Sequence, residues 1–126
     1  MEKLIGIPFL PLGRSYAGAD CAGLVIIFYR DILKIRHEEY LTYRDVTENN
    51  EPQIISALNN AKFAKVTSPK RKGDLLIIRS YGHIAHLGIC FNERYFLHTL
   101  ERIGSHLTEY EHPGWKRRIE STWRMI

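Results

Sequence analysis

The chain has little cysteine: Cys21 and Cys90 are the two thiols in 126 residues. Two are too few for a disulfide framework, and these do not form a Cys-x-x-Cys pair, so a disulfide-stapled scaffold is excluded. No apolar run approaches the roughly 18 residues that a membrane span needs. The opening Met1-Glu2-Lys3-Leu4-Ile5-Gly6 lacks the long apolar stretch of a secretory signal. The expectation is a chain made in the cytoplasm without a signal peptide, with no membrane span. Internal repeats, Gly/Ser-rich linkers and low-complexity segments are also missing, which leaves one domain, 1–126.

What is present fits a soluble fold with its own core: 44% of residues are hydrophobic and 25% charged. The net charge of +4 is concentrated in Lys70-Arg71-Lys72 and Lys116-Arg117-Arg118. Such runs are ordinarily solvated turns or faces, and they also suit an acidic partner such as an anionic cell wall. No nucleic-acid-binding motif accompanies them, so no nucleic acid is expected as a partner.

The pattern divides into helices first and strands later. Met1 to Ile5 reads as a short helical entry ended by Gly6-Ile7-Pro8. Phe9 to Ala19 reads as a Gly/Pro-rich loop. Asp20 is a good N-cap, and from Ala22 to Leu33 the residues are apolar on almost every side, as in a buried helix. Lys34 to Thr47 reads as a loop or broken helix. Glu51-Pro52 opens a second helix ending near Ala64, with Ile54, Ile55 and Leu58 at helical spacing. After the turn Ser68 to Asp74, strands are expected at Leu75–Ile78, Ile84–Phe91, Tyr95–Thr99, Ser105–Tyr110 and Arg117–Met125. Turns fall at Ser80–His83, Asn92–Arg94 and Glu111–Gly114. About five closely spaced strands make a mostly antiparallel meander, hence an α+β class with a helix buried against the sheet.

Three residues stand out for chemistry. Cys21 is the first residue of the buried helix, where backbone amides lack intrahelical partners and the dipole favours thiolate over thiol. A small, buried hydrophobe is the competing reading of the same residue. In Ala85-His86-Leu87-Gly88-Ile89-Cys90, alternation puts His86, Gly88 and Cys90 on one face, and His98 shares a face with Phe96. If these strands form a hairpin, the two imidazoles meet. A helix-start cysteine facing them has a nucleophile, a base and an orienter. The bland reading of a strand histidine is a satisfied core or edge residue. His37, His106 and His112 lie in polar surroundings and read as surface side chains. His83 and His86 point to opposite faces, and no second cysteine lies near Cys21, so the spacing has no zinc signature and no metal is expected. Cys90 reads as core packing.

Asp20-Cys21-Ala22-Gly23-Leu24-Val25, Gly73-Asp74-Leu75-Leu76, His86-Leu87-Gly88-Ile89 and Phe96-Leu97-His98 occur in that order across nearly the whole chain. Together they resemble the NlpC-type cell-wall cysteine peptidases, a compact papain-like family. The likeness extends to phage and prophage tail members through Trp115-Lys116-Arg117-Arg118-Ile119. The resemblance implies Cys21 as nucleophile, His86 as base and His98 as the orienting third residue, with no cofactor. It implies peptidoglycan stem peptides as substrate, cut at amide bonds, and phage tail or particle proteins as partners. The site of action would be the cell wall, reached from the bacterial cytoplasm in association with a virion or tail. The rival functions are a catalytically silent structural or wall-binding tail module and a related thiol acyltransferase. Phe9, Tyr16 and Asp20 are the expected substrate-binding residues. Phe9 stands where many members carry tyrosine, so it keeps the ring and loses the hydroxyl.

Overall fold

The structure, a computed structural model, describes residues 2–35, 51–79 and 85–126. A 3-10 turn, Glu2–Leu4, leads into a loop that carries a small hairpin, β1 (Arg14–Ser15) and β2 (Gly18–Ala19). The long helix α1 (Cys21–Asp31) begins where expected, with Asp20 as its extended N-cap. Every residue from Ala22 to Tyr29 is buried, which is why its sequence shows no polar face. α2 (Glu51–Asn60) buries Ile54, Ala57 and Leu58, and Ala61 follows just beyond. That spacing is one helical stripe, and it makes α2 amphipathic where α1 is not. The expected turn at Ser80–His83 and most of the Lys34–Thr47 segment lie outside the described residues.

The sheet has six strands where about five were expected, in the order β3-β8-β4-β5-β6-β7. These are β3 (Phe63–Val66), β4 (Leu75–Arg79), β5 (Ala85–Cys90), β6 (Tyr95–Leu100), β7 (Gly104–Glu109) and β8 (Ile119–Met125). All neighbours are antiparallel. β4 to β7 form the expected meander, but β8 returns to lie between β4 and β3. The extra strand is β3. Lys62, at φ 65, ends the turn after α2, and Phe63 then enters the core. The expected turn at Glu111–Gly114 instead winds into a short helix, α3 (Pro113–Lys116), capped by His112.

Both faces of the sheet are covered. Leu75, Ile77, Leu87, Ile89, Leu97 and Trp123 pack with α1 and α2 on one side. Leu76, Ile78, Cys90 and Phe96 form a second, smaller cluster under Tyr110, Trp115 and Ile119. The unbroken apolar run Leu75–Ile78 follows from this, because successive residues of β4 serve opposite cores. Among the described residues no helix is long and apolar enough to cross a membrane.

Candidate active site

The approach to α1 is held by one carboxylate. Asp20 Oδ1 accepts from Gly23 N at 2.8 Å and from Arg14 Nη1 at 2.7 Å, and Oδ2 accepts from Leu12 N at 2.8 Å. The cap therefore starts the helix and also fixes the loop before it, including Leu12 at φ 62. Gly23 allows the loop to close down, since a Cβ there would sit 2.0 Å from the Gly13 carbonyl oxygen. Phe9 is half-buried and bridges by its backbone to Ala19, two residues before Cys21. Cys21 itself is half-buried and packs on the main core, and neither cysteine is in a disulfide.

On the sheet, the hairpin β5–β6 brings His86 and His98 together, with ring centroids 5.4 Å apart. His98 is completely buried. Its Nε2 lies 2.7 Å from Thr108 Oγ1, while its Nδ1 has no hydrogen-bond partner among the described residues. His86 Nε2 is likewise buried and unpartnered. Trp115 of α3 covers both rings, edge-on to His98 at 4.8 Å and tilted over His86 at 5.8 Å. Removal from water pushes the His86 pKa down to about 4, helped by Arg118 and His106. Burial, then the neighbouring His86 and His106, pushes His98 down to about 2. Both imidazoles are neutral near pH 7, each with one donor and one acceptor nitrogen.

α1 lies on the Leu87–Ile89 face, whereas His86 and His98 lie with Cys90 and Phe96 on the other. α1 packs against β5 and β6. Tyr29, near the end of α1, donates its O–H to the Gly73 carbonyl, and Gly73 N donates to Cys90 O at 2.8 Å. Cys21 opens α1, and His86 stands near the start of β5.

The remaining expected residues spread out. Tyr16 is exposed, and its hydroxyl donates to Asp31 Oδ2 at 2.6 Å, at the far end of α1 from Cys21. Cys90 is core, as expected. His37 and His83 lie outside the described residues. His112 is exposed, and its Nδ1 accepts from Gly114 N at 2.9 Å. His106, read as a surface residue, is half-buried and pairs across β6–β7 with His98, with ring centroids 4.4 Å apart. Its signal was available in the alternation of Ser105 to Thr108, but only the register shows which residue it opposes. Thr108 and Trp115 were also not singled out as partners of the imidazoles. Among the described residues no three His, Cys, Asp or Glu side chains are grouped to hold a metal ion.

The sequence model described as the NlpC/P60 family matches residues 6–124. No curated protein matches the chain. Solved structures do. The NlpC/p60 domain of peptidoglycan hydrolase SagA is 19% identical with a TM-score of 0.66, over 98% of this chain and 92% of that one. An NlpC/P60 family protein from Bacillus cereus is 18% identical with a TM-score of 0.62, over 95% of this chain and 36% of that one. A Staphylococcus aureus protein described as similar to lipoprotein, NLP/P60 family, is 19% identical with a TM-score of 0.67, over all of this chain and 40% of that one. The chain thus spans less than half the length of the last two. At these identities the likeness is one of fold.

Proposed function

Because the chain belongs to the NlpC/P60 family, we propose that it is a cysteine peptidase that hydrolyses amide bonds in peptidoglycan stem peptides through Cys21, His86 and His98. The observation that carries this is the pair of neutral imidazoles, His98 buried and His86 half-buried, that β5 and β6 bring together, with Cys21 at the start of the helix packed on those strands. The Cys21 thiol gives its proton to His86, and the sulfur attacks the amide carbonyl. The Cys21 backbone N–H, at the positive end of α1, helps to hold the oxyanion. The C–N bond then breaks, and the imidazolium of His86 protonates the leaving amine. Water, deprotonated by His86, releases the acyl group from sulfur and restores the thiol. A His86 whose pKa lies near 4 is a weak base, so the proton moves as attack proceeds and no ion pair stands ready beforehand.

Phe9 and Asp20 form the loop wall beside Cys21, with Phe9 offering an apolar ring to the substrate. Asp20 acts by holding that wall in place. A place in a phage or prophage tail is supported by the Trp115-Lys116-Arg117-Arg118-Ile119 segment, which resembles such members.

A silent wall-binding module of the same fold is the second reading. It is favoured by one observation: the two rings lie on the face of the sheet away from α1. Release of soluble peptide fragments from purified peptidoglycan separates the two. Wild type releases them and Cys21→Ala does not; equal release by both removes the mechanism.

A further inference from the structure

We infer that Thr108 is a positioning residue for this site: its hydroxyl accepts from His98 Nε2–H and so selects the tautomer in which His98 Nδ1 receives a hydrogen bond from His86. The inference rests on the peptidase reading and adds a fourth residue to it, one that touches no substrate.

Two ring nitrogens in the pair lack partners among the described residues, His86 Nε2 and His98 Nδ1. They belong to neighbouring rings with centroids 5.4 Å apart. Leaving a buried polar atom unpaired is unfavourable, because its bond to water is lost and nothing replaces it. Each nitrogen is what the other lacks, so a modest ring turn, or one bridging water, satisfies both. The direction of that bond decides whether the site works. With the proton of His98 on Nε2, Thr108 is the acceptor, Nδ1 accepts from His86 Nε2–H, and the lone pair of His86 is left on Nδ1 for the thiol proton. With the opposite polarity, Thr108 donates to Nε2 and His98 donates from Nδ1. His86 then carries its own proton on Nδ1 and cannot take another there.

Thr108 is well placed to hold the first arrangement. It is buried, 2.7 Å from a fully buried ring. It also lines an open depression of about 550 Å³ with His106, Glu109 and Trp115. Its own hydroxyl proton can point to water there, which frees the oxygen to accept.

The test uses the full chain labelled with 15N, its histidine tautomers read from long-range proton–nitrogen couplings at pH 7. Wild type is expected to show His98 protonated on Nε2. Thr108→Val, nearly the same shape, is expected to lose that single tautomer, and Thr108→Ser to keep it. Peptidoglycan turnover should follow, with kcat at least ~10-fold lower in Thr108→Val, near wild type in Thr108→Ser, and KM little changed. His98 protonated on Nδ1 in wild type overturns the inference without recourse to any variant. So does a Thr108→Val protein with an unchanged tautomer. Wild type that shows the Nε2–H form but releases no peptide supports the role of Thr108 and overturns the peptidase reading alone.

Discussion

Arg124 closes a two-point clamp on Asp74, fifty residues earlier in the chain, with Nε donating to Oδ1 at 2.9 Å and Nη2 to Oδ2 at 2.7 Å. The same guanidinium reaches Ser68 Oγ and the Pro69 carbonyl, and Asp74 Oδ2 also accepts from Arg71 N. β8 is thereby tied to the turn that launches β4. Asp74 is 3% exposed, so removing Arg124 leaves a buried carboxylate without its ion-pair partner, whereas removing Asp74 leaves a guanidinium that water still reaches. Arg124→Met is therefore expected to lower unfolding stability more than Asp74→Ala does. Urea denaturation measures it, and a loss under 1 kcal/mol would make the clamp ornamental.

His86 and His98 make the fold acid-labile. Their folded pKa values, near 4 and 2, lie below the ordinary 6.5. The unfolded chain therefore binds more protons than the folded one between those values. Stability contributed by neutral burial is present above pH 6.5 and declines as pH falls towards 4, by up to about 1.4 kcal/mol per pH unit for each ring. Trp115→Ala admits water and should move the His86 titration upward, towards 6.5. Denaturation midpoints at pH 7 and 4.5, with NMR titration of His86, check both. A midpoint independent of pH would contradict the burial.

Gly88 leaves room for Ile78 and Phe96 in the smaller core. A Cβ there would stand 2.9 Å from Ile78 Cδ1 and 3.1 Å from Phe96 Cδ2, and Phe96 is fully buried. Gly88→Ala is expected to cost about 1–3 kcal/mol through overpacking. Calorimetry should show a melting temperature lower by several degrees, whereas an unchanged one would mean that Phe96 moves aside freely.

Alkylation separates the two thiols. Cys90 is 1% exposed, and burial pushes its pKa up to about 11. Iodoacetamide in the folded state should give a single adduct, at Cys21, read by peptide mass spectrometry. An adduct at Cys90, or at neither thiol, would contradict these exposures.

How much of this was legible depends on how local each feature is. α1 was, since Asp20 and the apolar residues after it specify a capped, buried helix by themselves. The shared face of His86 and His98 was also legible, because alternation and one short turn settle it. The face that α1 covers was not: Leu75–Ile78 is apolar on both sides, and periodicity is silent on which side receives the helix. β3 was missed because Phe63 and Ala64 fit the end of α2 equally well, and they become a strand only by pairing with Met125 and Arg124. His106 looked like a surface residue because its neighbour is eight positions away, across a register that no local rule supplies. The cap made by His112 hid behind Pro113-Gly114, a pair that reads as a turn.

The late position of β8 in the chain, against its place between β3 and β4, carries a consequence for biosynthesis. As the polypeptide emerges, the flank of β4 destined for β8 stays without its partner until β5, β6 and β7 have been made. Ser105 must also join Ile7 and Leu4 across 98 and 101 residues. Such long-range closure is slow, so the bare flank of β4 is an edge on which a wrong strand can pair until β8 arrives.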